Sequence, residues 1–382
     1  MKTPTALPLY YVGLMSGTSL DGIDAALIAI EKDSPPRLLA THAEPMPNEL
    51  HHLLLTLCHA KQVSFAQLAA AEQAFCQCQA RAVKQLLKPL SIGSEQISAI
   101  GSHGQTIEHA PEGHAGGPAY TLQLDNPSLL AELTGCTVVA DFRRRDLAAG
   151  GQAAPLAPAF HQALFGRASE HQLILNLGGF ANLTWLSSHA ADPVVGFDTG
   201  PANVLLDGWF ALHQGHQGGR FDQDGAWAAS GKIDERLLAR LLSEPFFQLP
   251  PPRSTGRELF HMQWLQQHLS GQEAAADVQA TLAELTALSV AQGIEQLRTN
   301  DSPVKLITAG GGAHNSYLMR RLAHHLPHAV FTSPAAYGWP EDWIEAGAFA
   351  WLAHQRLNHL PGNLPSVTGA AGPRVLGGIY AG

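Results

Sequence analysis

Apolar positions along the chain follow two periods, and the switches between them outline the elements. Residues 9–15 and 25–30 are β-prone apolar runs separated by Ser16-Gly17-Thr18-Ser19-Leu20-Asp21-Gly22-Ile23-Asp24, which predicts strand, small polar turn, strand. From 49 to about 87, Ala, Gln and Leu recur at helical spacing. Residues 97–107 read as a buried strand ending in Ser102-His103-Gly104-Gln105-Thr106. A short helix is expected at 127–133, because Pro127 suits a first helical position and Asn126 stands where a cap belongs. A strand at 137–142 and a helix at 155–165 complete this half.

The pattern then restarts. Residues 173–177 predict a strand, Gly178-Gly179-Phe180-Ala181-Asn182 a turn, and 183–186 the return strand, so both halves open on a hairpin with a turn of Gly and small polar residues. A strand at 194–197 follows, then helices near 202–212 and 274–297. A strand at 305–308 runs into Gly310-Gly311-Gly312, and a helix at 343–357 precedes a Gly/Pro-rich tail. Pro250-Pro251-Pro252 reads as a loop. The boundary falls near 166–171, giving domains at 1–168 and 169–382, with the tail at 360–382 a candidate to pack back on the first.

Composition narrows the class. A chain of 382 residues exceeds one ordinary core. Its 45% hydrophobic and 14% charged residues, with 37 Gly and 25 Pro, suit a turn-rich α/β enzyme; soluble domains usually carry about 25% charge. A net charge of −9 without a basic stripe argues against nucleic acid, since Arg143-Arg144-Arg145 is short and meets Asp146 at once. No apolar run reaches membrane-span length and no secretory segment is found at the start, so a cytoplasmic protein without a membrane partner is expected. Cys58, Cys76, Cys78 and Cys136 read as reduced thiols, and the 20 His residues include no H-E-x-x-H pair.

Three turns carry candidate chemistry. The first offers Gly17 and Gly22 backbone, hydroxyls of Ser16, Thr18 and Ser19, and the carboxylates of Asp21 and Asp24. Glycines admit a phosphate close to the backbone, and carboxylates beside such a nest imply a divalent cation, Mg²⁺. An ordinary hairpin turn explains the same residues equally well. No Walker loop exists: residues 225–232 have the wrong spacing and no Ser or Thr after Lys232. Another turn, Gly196-Phe197-Asp198-Thr199-Gly200-Pro201-Ala202-Asn203, places Asp198 where a strand gives way to a helix. There it is a general base, a helix cap or a turn-forming Asx residue. Gly310-Gly311-Gly312 suits passage of backbone against a flat ligand such as adenine, or a plain strand-to-helix turn. His103, at the end of a buried strand, either hydrogen-bonds a polar substrate or is a satisfied core histidine.

These motifs resemble, in order and across nearly the whole chain, the anhydro-N-acetylmuramic acid kinases. The resemblance runs through residues 13–24, 102–106, Asp141-Phe142-Arg143-Arg144-Arg145-Asp146, Gly150-Gly151-Gln152-Ala153-Ala154-Pro155-Leu156, residues 176–182, 196–203 and 310–315, Leu360-Pro361-Gly362-Asn363 and Val367-Thr368-Gly369-Ala370. It implies an α/β fold of two actin/hexokinase/Hsp70-like (ribonuclease H-like) domains flanking an interdomain cleft, with ATP and Mg²⁺. It implies a kinase that opens the 1,6-anhydro ring of anhydro-N-acetylmuramic acid with water and phosphorylates O6, in peptidoglycan recycling. Gly17, Thr18, Ser19, Leu20, Asp21, Gly22, Ile23 and Asp24 would form the first phosphate hairpin, with Asp21 and Asp24 toward the metal. Gly178, Gly179 and Asn182 belong to the second hairpin, and Gly310, Gly311 and Gly312 would face adenosine. Asp198 would be the base, and His103, Gln105, Arg143 and Glu345 the grip on the sugar. The family commonly has Gly where this chain has Ala202. A homodimer is expected from the family alone. The rival readings are another acetamido-sugar kinase of the same superfamily and a nucleotide-driven ATPase without substrate chemistry.

Overall fold

The computed structural model describes residues 9–382 apart from 18, 19, 33, 61, 115, 167–169, 190, 191, 216–218, 220, 258 and 298–303. Its contacts divide the chain into two units, Met1–Phe165 with Gly338–Gly382, and Gly166–Tyr337.

The first unit is built on β1 (Leu9–Ser16), β2 (Gly22–Ile30), β3 (Arg37–Pro45), β4 (Ile97–Ala110), β5 (Tyr120–Leu124) and β6 (Val138–Ala140). β1, β2 and β3 form an antiparallel meander, and β4 then β6 add to β1 in parallel. The C-terminal strand Gly378–Tyr380 closes the β6 edge, and β5 pairs with β4. The apolar runs read from sequence are apolar because both sheet faces are covered. Val12 and Leu14 enter a core with Phe75, Val83 and Leu86 of the helix Phe65–Leu87. On the other face, Tyr11 meets His354 of the helix Ile344–Leu357. That helix lies so close that a Cβ on Gly13 would overlap Ala346 O, and one on Gly101 would overlap Phe349 O. The cap predicted at Asn126 is present, with Asn126 Oδ1 accepting from Leu129 N at 3.0 Å ahead of Pro127, and Ser64 and Gln67 make a reciprocal capping box that the residue pattern does not predict.

The second unit is built on β7 (Gln172–Leu177), β8 (Phe180–Leu186), β9 (Val195–Pro201), β10 (Val304–Ala309) and β11 (Ala329–Thr332), in the order β11-β10-β7-β8-β9. β7, β8 and β9 form the meander, with β10 and β11 parallel beside β7. This is the β6-β4-β1-β2-β3 arrangement again, so both units carry the ribonuclease H-like sheet of the actin/hexokinase/Hsp70 class. The helix Ala275–Leu297 is buried nearly all round, its polar Gln279, Thr281, Glu284, Thr286 and Ser289 included, and it sets Leu282, Leu285 and Val290 in one core with Leu175, Leu183 and Phe197.

Several sequence expectations differ from what is observed. β3, β5, β11 and the strand Gly378–Tyr380 are not predicted by the residue pattern, and β2 and β8 begin inside the predicted turns, at Gly22 and Phe180. β9 runs on to Pro201, past the predicted end at 197. Residues 338–359, assigned by sequence to the second domain, lie with the first unit, as does the tail at 360–382, the candidate to pack there.

Candidate active site

In the first unit the β1–β2 connection is held from within. Ser16 Oγ donates to Gly22 O at 3.0 Å, and Met46 N donates to Asp21 O at 2.9 Å. Leu20 takes a left-handed φ of 57° so that its side chain can turn inward, and Ile23 is buried in the same core. Those two residues therefore leave only backbone to a ligand, while Gly17, Asp21, Gly22 and Asp24 border the turn. Thr18 and Ser19 lie outside the described residues.

The predicted sugar residues gather near that turn. Gln105 Nε2 donates to Gly17 O at 3.3 Å, and Gln105 Oε1 is buried without a partner. Arg143 Nε donates to His103 Nε2 at 3.0 Å, and its Nη1 donates to Ala153 O at 2.7 Å. Because Nε2 accepts, the His103 proton is assigned to Nδ1, which is buried and unpartnered. Burial, then the neighbouring Arg143 charge, hold the His103 pKa well below its usual value, so the ring is neutral. Burial raises Glu345 while Arg143 pulls it back. Asp24 is pushed up to about 6 by burial and by the carboxylates of Asp21, Asp342 and Glu345. Hard oxygen donors with excess negative charge suit a cation such as Mg²⁺, which typically takes one or two carboxylates and completes its shell with water and phosphate. Among the described residues no group of three or more His, Cys, Asp or Glu is arranged as a metal cage.

In the second unit three turns interlock. Ala202 N and Val204 N donate to Gly179 O, each at 3.0 Å, and Asn203 N donates to Gly178 O at 3.1 Å. Asn203 Nδ2 donates to Leu177 O at 3.0 Å. Gly310 has φ 83°, and a Cβ there would stand 2.5 Å from Asn176 Oδ1; a Cβ on Gly312 would meet Leu177 Cβ at 2.7 Å. Ala202 has φ −127° and ψ −111°, a backbone conformation outside the α and β regions.

Asp198 is not at a strand end. It lies inside β9, and the next helix is preceded at its N-cap by Ala202, which removes the capping explanation. Across the sheet it pairs with Asn182, which pairs with Asn176, which pairs with Ala309. Paired residues share a face, so Asn176, Asn182 and Asp198 form a polar row over three strands. A bulge beside the row inserts the buried Thr199 between the pairs Ala181–Gly200 and Asn182–Asp198, and Thr199 Oγ1 donates to Ala181 O at 3.2 Å. Such bulges re-aim side chains.

Sequence reading missed the segment that fixes this carboxylate. Asp198 N donates to Arg253 O at 2.9 Å, Arg253 Nε donates to Asp198 O at 3.1 Å, and Thr255 N donates to Asp198 Oδ2 at 2.9 Å. Arg253 is buried, donates also to Phe247 O and Leu249 O, and sits over the rings of Phe246 and Phe197. The one signal was an arginine directly after Pro250-Pro251-Pro252, a stretch otherwise readable only as loop.

The family model for anhydro-N-acetylmuramic acid kinase matches residues 9–382. Similar proteins described as anhydro-N-acetylmuramic acid kinase come from Chromohalobacter salexigens, 61% identical over 98% of this chain and 100% of that one, and Pseudomonas syringae pv. tomato, 52% identical over 98% and 100%. A third, from Xylella fastidiosa, is 50% identical over 99% of this chain and 97% of its own. With end-to-end matches at that identity, this chain belongs to the anhydro-N-acetylmuramic acid kinase family of phosphotransferases acting on an alcohol group.

Proposed function

We propose that the protein uses ATP to convert 1,6-anhydro-N-acetylmuramic acid to N-acetylmuramic acid 6-phosphate and ADP, with Asp198 as the general base. Water attacks C1, Asp198 takes its proton, and the C1–O6 bond breaks. The released O6 forms the new bond to the γ-phosphorus as the bond to ADP breaks. Beyond family membership, the observation that carries the assignment is Asp198 itself. It is a carboxylate with its backbone paired on Arg253, its Oδ2 aligned by Thr255 N–H, and no capping duty to explain it.

The phosphate-binding role is assigned to Gly17, Asp21, Gly22 and Asp24, and to Gly178, Gly179 and Asn182, with Gly311 toward adenosine. At Gly178, Gly179 and Gly311 a Cβ would meet nothing in the protein closer than 3.7 Å, so internal packing does not demand glycine there. Bare backbone at those points is what close approach of a nucleotide requires. When bound, Mg²⁺ at Asp21 and Asp24 would neutralise phosphate charge. His103, Gln105, Arg143 and Glu345 are assigned to the sugar, with the Arg143 guanidinium suited to the lactyl carboxylate. Oε1 of Gln105 is buried without a hydrogen-bond partner within this cluster. Homodimer formation and a cytoplasmic setting belong to the same proposal and rest on the family; among the described residues no helix is long and apolar enough to cross a membrane.

The test is mass spectrometry of the product formed in ¹⁸O-water. One ¹⁸O at C1, together with one new phosphate on O6, is the expected result. Phosphorylation without label at C1 would overturn the hydrolytic half.

A further inference from the structure

Four sequence motifs have no part in the chemistry above: the end of Arg143-Arg144-Arg145-Asp146, the Gly150–Pro155 stretch, Gly362-Asn363 and Val367-Thr368. The first unit brings all four onto one side chain. Asp146 is fully buried in the short helix Arg144–Leu147. Its Oδ2 accepts from Ala153 N at 2.8 Å, and its Oδ1 accepts from Asn363 Nδ2 at 2.6 Å and Thr368 Oγ1 at 2.8 Å. The backbone closes the same knot, with Gln152 N donating to Thr368 O and Ala371 N to Ala149 O, each at 2.8 Å. A Cβ on Gly151 would overlap Asp146 Oδ2, so glycine is required there by the carboxylate.

An ionised carboxylate accepts on both oxygens and donates on neither, which is what three converging donors from three segments need. Burying it among neutral donors is expensive compared with an apolar contact of similar size. Fastening a chain terminus does not call for that. The knot does, however, fix Ala153, a buried non-glycine residue held at φ 60°. Left-handed backbone is unfavourable for alanine and persists only where the surroundings impose it. Ala153 O is the acceptor for Arg143 Nη1, and Arg143 Nε in turn fixes the His103 acceptor nitrogen.

We propose that Asp146 is a positioning residue for sugar recognition: by holding Ala153 and the Asn363–Thr368 segment in one knot, it sets the orientation of Arg143 and, through it, of His103. This rests on the assignment of Arg143 to the sugar. It also ties the C-terminal segment to substrate affinity, through contacts that lie wholly within the first unit.

Thr368→Val removes one donor at nearly constant volume, Thr368→Ser keeps the hydroxyl, and Asp146→Asn replaces one acceptor oxygen with a donor. Steady-state kinetics in both substrates, melting temperature and the ¹⁵N shifts of the His103 ring are measured on each. The expected result is a sugar KM about tenfold higher in Thr368→Val, the scale of one charge-assisted hydrogen bond, and higher still in Asp146→Asn. ATP KM stays near wild type, the His103 shifts move, and Thr368→Ser restores both. Thr368→Val combined with Arg143→Ala should raise sugar KM no further than Arg143→Ala alone, because both act through one side chain. A lower melting temperature in Thr368→Val with unchanged sugar KM and unchanged His103 shifts would overturn the proposal and leave a tail fastener. If Asp146→Asn does not fold, Thr368→Val and Thr368→Ser decide alone. If Arg143→Ala leaves sugar KM unchanged, the sugar assignment of Arg143 fails, and the His103 shifts still decide whether Asp146 orients the pair.

Discussion

Replacing Asp198 by Asn separates catalysis from architecture because the structure fixes what each would lose. The backbone of residue 198 is paired with Arg253 through N–H and C=O, and Asn keeps both bonds. Its amide oxygen can still accept from Thr255 N, so the structural loss is the difference between a charge-assisted and a neutral hydrogen bond, about 1 kcal/mol. For a unit of this size that lowers the melting temperature by about 2–4 °C. Losing a general base costs about 10²–10⁴-fold in turnover, roughly 3–5.5 kcal/mol of barrier. Turnover is followed by ADP release, ring opening by ¹⁸O incorporation at C1, and folding by thermal melting on the same preparation. Hydrolysis and phosphorylation should fall together, since ring opening creates the phosphoryl acceptor, while both substrates still bind. A folded Asp198→Asn protein with turnover within about threefold of wild type would refute the assignment, because no structural loss of this size hides a missing base.

Further perturbations test the surroundings. Asp24 is held near 6, above the unfolded carboxylate value, so its contribution favours folding at low pH and is lost as pH rises through about 6. Asp24→Asn should therefore raise the melting temperature of the ligand-free protein at pH 7.5, show no gain at pH 3.5, and weaken Mg²⁺-ATP use more than sugar binding by calorimetry. Gly13→Ala drives a methyl into Ala346 O and should cost about 1–3 kcal/mol, with faster hydrogen exchange across Ile344–Leu357. Arg253→Met keeps an apolar stem over Phe246 but drops the hydrogen bonds to Asp198 O, Phe247 O and Leu249 O; kcat should fall by about tenfold or more with sugar KM little changed. An unaltered kcat would show that Arg253 does not align the base.

What the sequence made legible was local. Asn126-Pro127, the two hairpin turns and the buried runs of β1, β2 and β7 carry their own signals in residue type and period. β3 escapes because its residues are mostly half-buried, so Arg37–Pro45 shows neither clean alternation nor a continuous apolar run. β5 escapes because five residues carry too little period. The helix Ile344–Leu357 is legible, but its allegiance to the first unit depends on Gly13 and Gly101, more than 240 positions upstream, making room for it. Asp198 is legible as a residue and misplaced as an element, since with the bulge at Thr199 β9 continues through Gly200 to Pro201, a Gly-Pro pair that reads as a stop. Arg253 and Asp146 act through backbone carbonyls and distant donors, contacts that no spacing rule encodes.

The bulge at Thr199 also bears on how this segment tolerates change. Side chains on a strand switch faces with every residue, so the polar row from Asn176 to Asp198 exists at only one count of residues between β8 and the helix Asn203–Gln214. Swapping one letter near the row alters a contact; removing Thr199 would either slip the pairing, turning Asp198 to the opposite face, or pull the following helix out of phase with the Gly178–Gly179 turn it is bonded to. In a library covering residues 195–202, variants that change length by one should lose activity almost without exception, including those that leave Asp198 itself in place.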